Sequence, residues 1–93
     1  MIDNLKNSFS TQDLYLATAI ILSGHEPDSY FEIEYANGVF IKLVWNDKNG
    51  IPLDQIESGE IKFAVRDFQK IHRSLTIDIL NRVKSFNNQK LEK

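Results

Sequence analysis

Residues 9–24 read FSTQDLYLATAIILSG, and they describe a helix with both ends marked. Ser10 is placed to cap the first free N–H groups, with Asp13 three residues on at the reciprocal position of a capping box. Phe9 before the cap and Leu14 after it form a staple that sets the entry angle of the chain. Asp13 also meets the positive end of the helix dipole. Gly24 supplies the left-handed residue that closes a helix, and Pro27 forbids continuation. Leu14, Ala17 and Ile21 share one face, while Leu16, Ile20 and Leu22 are spread around the rest. A helix apolar nearly all round belongs inside the molecule, buried on several sides.

Next along the chain, 30–36 and 39–46 read as the two strands of a hairpin. Phe31, Ile33 and Tyr35 alternate on one strand; Val39, Ile41, Leu43 and Trp45 alternate on the other. A two-residue Asn37-Gly38 loop would set Glu34 opposite Ile41 and Glu32 opposite Leu43, mixing acidic and apolar faces. A three-residue loop, Ala36-Asn37-Gly38, pairs Tyr35 with Val39 and Glu32 with Lys42. All seven apolar residues then share one face, and this is the expected register.

Residues 46–50 (NDKNG) form a turn cluster, and Pro52 opens a short helical turn carrying Leu53 and Ile56, closed at Gly59. Residues 60–65 alternate, with Ile61, Phe63 and Val65 on one face, and predict a third strand. From Asp67 onward, Phe68, Ile71, Leu75, Ile79, Val83 and Phe86 recur at helical spacing over five turns. Residues 1–8 and 88–93 are polar without periodicity and are expected to fray. The expected fold is therefore α+β in two layers: a three-stranded antiparallel sheet with two long helices on one face. The expected order is helix, strand, strand, short helical turn, strand, helix.

The pattern Phe9-x-Thr11-x-Asp13-Leu14-x-Leu16-Ala17, with a glycine seven residues on, a hairpin, and a final strand leading into an amphipathic helix, resembles a small family of domains from bacterial, archaeal and phage genomes. The likeness spans residues 9–86. In the second half the chain departs from the family pattern, with Gln55-Ile56-Glu57 and Val65-Arg66-Asp67 where the family has an aromatic-rich connection and a proline. The family has no established activity, so the resemblance implies a fold and a mobile-element origin but assigns no catalytic residue.

Composition sets further bounds. A chain of 93 residues with 42% hydrophobic and 26% charged residues makes one globular domain with a modest core. The longest apolar run, Ala19 to Leu22, is too short to span a bilayer, and the first residues lack the pattern of a secretory signal. With no cysteine there is no disulfide, no thiol catalysis and no cysteine-held zinc. These features place the protein in the cytoplasm, away from membranes. Net charge is −2, unevenly spread: residues 1–65 hold 4 Lys/Arg and 10 Asp/Glu, and residues 66–93 hold 7 and 3. A basic last helix against an acidic body complements its own dipole, or a charged partner.

Chemistry-bearing patterns are sparse. His25, Glu26 and Asp28 are of metal-ligating type, yet they follow a helix stop, where polar residues are expected. Residues 47–50 fail as a calcium loop, since Trp45 and Ile56 would occupy its first and last ligand positions. His72 adjoins the apolar stripe of the last helix and is expected to be half-buried and bonded to a neighbour. Glu32 and Glu34 are expected on a solvated face beside Lys42. Gly38, Gly50 and Gly59 are isolated, so there is no phosphate loop. The reading is a non-enzymatic protein without cofactor or metal.

The apolar residues left outside the expected core suggest a surface. Tyr30, Phe40 and Val44, with Lys42, Lys62 and Arg66 around them, are expected on the outer face of the sheet, away from the helices. Ile77, among Lys70, Arg73, Asn81 and Lys84, is a second candidate on the last helix. The expected partner is another protein or a second copy of the chain. The alternative is nucleic acid, with Tyr30 and Phe40 as stacking platforms and the cations on phosphate. Glu32, Glu34 and Glu60 on the same face, and a pI near 5.6, count against that alternative.

Overall fold

A computed structural model describes residues 7–91, the last three by backbone alone. The elements in chain order are β1 (Phe9–Thr11), α1 (Leu14–Leu22), β2 (Ser29–Tyr35), β3 (Gly38–Trp45), α2 (Leu53–Ser58) and α3 (Val65–Leu91). The three strands form one antiparallel sheet in the order β1-β3-β2, and the fold is α+β as expected. Ile41, Leu43 and Trp45 point from the central strand into the core, where they meet Ala17 and Ile20 of α1, Leu75 of α3 and Ile51. Both long helices thus cover one face of the sheet.

The first helix starts later than the sequence predicts. Phe9–Thr11 is an edge strand, paired Phe9 to Trp45 and Thr11 to Leu43. The cap is Asp13, whose Oδ1 accepts from the N–H groups of Tyr15 (3.0 Å) and Leu16 (3.3 Å). Thr11 Oγ1 in turn accepts from Asp13 N–H, so the strand-to-helix corner is bonded on both sides. Phe9 packs its ring on Trp45 at 6.1 Å rather than serving as a staple. The helix stop is as expected. Gly24 has φ +99°; its N–H reaches Ile21 O and that of His25 reaches Ile20 O, the double bond of a Schellman closure. Four consecutive residues, Ala17 to Ile20, are buried, so the helix is covered on several sides, while Tyr15 in its first turn stays 66% exposed.

The order of elements also differs. Residues 60–64, expected as the third strand, have no regular structure, and α3 begins at Val65, two residues before Asp67. The third strand of the sheet is instead Phe9–Thr11, which pairs with the side of β3 that β2 leaves free. The short helix after Pro52 forms as expected and closes on Gly59 at φ +82°. Helix α3 runs for 27 residues, roughly 40 Å at 1.5 Å per residue. It continues to Leu91 through positions expected to fray; residues 1–6 and 92–93 of the expected frayed ends lie outside the described residues.

The hairpin takes neither of the two registers weighed from the sequence. Tyr35 pairs with Gly38, Ile33 with Phe40, Glu32 with Ile41 and Phe31 with Lys42. The loop is Ala36-Asn37; neither has a positive φ, and the left-handed value falls on Gly38 at +144°. Glu32 and Glu34 therefore share the helix-side face with Ile41 and Val39, while Phe31, Ile33 and Tyr35 turn outward. The arrangement is affordable because β2 is an edge strand. Its glutamates stand on the helix side but remain exposed, so their charges are not desolvated.

Candidate interaction surface

The register decides which side chains cover the open face of the sheet. β3 contributes Phe40, Lys42 and Val44, β2 contributes Phe31, Ile33 and Tyr35, and β1 contributes Ser10. Phe31 is 55% exposed, Tyr35 47% and Phe40 40%. Tyr35 and Phe40 meet edge to face at 5.2 Å, and the Tyr35 hydroxyl lies 3.4 Å from Gln12 Nε2. Among the described residues of the three strands Lys42 is the one cation on this face, half-buried beside its apolar neighbours. Large aromatic residues grouped on an open sheet face form a contiguous apolar patch rather than a scatter of single exposed side chains.

Of the residues singled out from sequence, Phe40, Lys42 and Val44 stand together on this face. Tyr30 does not. It pairs with Leu43 on the helix side, where the Arg82 guanidinium lies 3.7 Å above its ring centre. Burial, with Asp78 and Glu26 nearby, raises the Tyr30 phenol above its ordinary range against the opposing pull of Arg82. Lys62 sits in the irregular 60–64 connection and Arg66 in the first turn of α3; both are exposed and neither belongs to the sheet. Ile77, 54% exposed, lines a separate concavity of about 500 Å³ with Tyr15, Phe68, His72 and Arg73. Sequence reasoning missed Phe31, Ile33 and Tyr35, because it placed them in the core. The signal that could have found them is a two-residue Ala36-Asn37 loop closed by Gly38, which the sequence reading did not consider.

The polar clusters are committed to structure. His72 is half-buried and stacks on Tyr15 at 4.7 Å and 20°, with Phe68 on a nearly parallel plane. The His25 carbonyl accepts from Trp45 Nε1 at 3.0 Å, and Asp28 Oδ2 accepts from Asn46 N–H at 2.7 Å, so this segment ties α1 to the end of β3. Asp47 closes its own turn by accepting from Asn49 N–H at 2.9 Å. Among the described residues no three His, Cys, Asp or Glu side chains are grouped to hold a metal ion. No helix of the described residues is long and apolar enough to cross a membrane. Comparison with known protein families, with curated proteins and with solved structures finds no match to this chain.

Proposed function

We propose that this chain is a non-enzymatic protein-interaction module that docks its partner on the open face of the sheet. The observation that carries this reading is the exposed group Phe31, Tyr35 and Phe40, extended by Ile33 and Val44, opposite the face that the helices cover. Aromatic side chains of this size supply most of the binding energy at protein interfaces. A cytoplasmic role and the mobile-element origin implied by the family resemblance fit a small acidic domain of this kind. The test uses immobilised wild type and Phe40→Asp in lysate, with and without nuclease. A discrete protein that survives nuclease and is lost with Phe40→Asp, at unchanged circular dichroism, is expected. Equal capture by the variant removes this face from the proposal.

Nucleic acid is a second reading, favoured by one specific observation. Glu32 and Glu34 stand on the helix side, so the open face joins Phe31, Tyr35 and Phe40 to Lys42 without a carboxylate among them. A stacking platform of this sort suits single-stranded nucleic acid. With one cation on the face, the salt slope of binding is expected near one phosphate contact. Absence of binding to single-stranded oligonucleotides at low salt removes the reading.

A further inference from the structure

Residues 60–64 carry an alternation that the fold leaves without a partner strand. Ile61 and Phe63 alternate with Lys62 and Ala64. The chain bends at Ile61, and no residue of the segment has a positive φ that would bar it from a strand. The Ile61 N–H is bonded to Gln55 O, but the N–H groups of Lys62, Phe63 and Ala64 make no bond to any described residue. The chain also carries one long open edge. Among the described residues β2 spans seven residues and pairs with a strand on one side only, whereas the opposite edge strand, β1, has three. The side chains of that edge alternate as well, with Phe31, Ile33 and Tyr35 outward and Glu32 and Glu34 on the helix side.

The two patterns are complementary. In an antiparallel register with Phe63 opposite Ile33, Ile61 faces Tyr35, Lys62 faces Glu34 and the small Ala64 faces Glu32. Apolar meets apolar on one side, and the cation meets the acidic row on the other. The edge is selective for such a strand. In a symmetric pairing of β2 with another β2 centred on Glu32 or Ile33, the two registers nearest the middle of the strand, Glu32 faces its own copy or Glu34, and like charges directly opposite are destabilising.

The pairing does not form within one chain. Phe63 packs on Phe68, which lies beside Tyr15 of α1, whereas β2 is reached by Arg82 at the far part of α3. Fourteen residues of rigid helix separate these points, about 21 Å. We propose that residues 60–64 of one copy add as a fourth strand to the β2 edge of a second copy, and that the exchange made reciprocally closes a dimer. This rests on the reading of the chain as an interaction module and names one partner for it, a second copy.

The experiment measures mass by sedimentation across concentration for the full chain, for Lys62→Glu, for Glu34→Lys, and for the two variants mixed. Wild type is expected to dimerise. Each variant alone sets like charges opposite at both contacts and weakens dimerisation by about tenfold or more. The mixture restores opposite charges at both contacts, so two monomeric variants are expected to form a dimer together. The inference is overturned by a monomeric wild type, by a dimer indifferent to both substitutions, or by a mixture that stays monomeric while circular dichroism is native. A monomeric wild type that still loses a nuclease-resistant partner with Phe40→Asp overturns this inference alone and leaves the interaction module standing.

Discussion

Asp13 holds the corner between the first strand and the first helix. Its carboxylate satisfies two of the N–H groups that a helix leaves open at its start, and its own N–H is taken by Thr11. Asp13→Ala is expected to cost about 1 kcal/mol in a denaturant melt. Ser10→Ala, at the position a capping box would have used, should stay within about 0.5 kcal/mol, because Ser10 lies exposed in the edge strand. Tyr30 offers a test by pH. Its phenol is held protonated by burial first and by Asp78 and Glu26 after that, while Arg82 opposes. The folded state therefore binds this proton more tightly than the unfolded chain. The resulting stability is complete below the ordinary tyrosine range, about pH 10, and is lost as pH rises through the raised folded value. Tyr30→Phe should flatten that alkaline limb of the stability curve.

At the level of elements, the hairpin register is the sharpest claim. Ile33 opposite Phe40 puts their backbones within reach of a disulfide, and the natural chain has no cysteine to confuse the result. Ile33→Cys with Phe40→Cys is expected to oxidise readily, as read by mobility on a non-reducing gel. Ile33→Cys with Ile41→Cys, the pair that the alternation argument would join, puts the thiols on opposite faces and should stay reduced. The helices were more legible than the strands. The Gly24 stop, the Pro52–Gly59 turn and the stripe through Leu75 follow from local chemistry and periodicity. Strand Phe9–Thr11 was not legible, because three residues carry no period and their pairing depends on a strand more than thirty residues away.

Across the whole molecule, the sheet has a covered face and an open one. Leu43 and Ile20 are fully enclosed on the first; Phe40 and Phe31 remain in water on the second. Stability and binding should therefore separate. Phe40 is 40% exposed and rests on Tyr35, so Phe40→Asp is expected to lower the stability read from a denaturant melt by about 1–2 kcal/mol, leaving the chain folded while association is lost. Of the candidate site, Phe40, Lys42 and Val44 were readable from alternation along β3. Lys62 and Arg66 were grouped with them because residues 60–65 alternate like a strand. That alternation is present, but residues 60–64 form no strand within the chain.

The sequence by itself determined the α+β class, the first helix buried on several sides, its glycine stop and the core side of β3. Each depends on residues within a turn or two of one another, or on a period that one strand or helix carries alone. The tertiary structure decided the edge partner of β3, the register of the hairpin and hence the composition of the open face. These are choices between pairings of similar local quality. They rest on the pairing of Phe9–Thr11 with β3, and on an edge position that leaves Glu32 and Glu34 exposed to water.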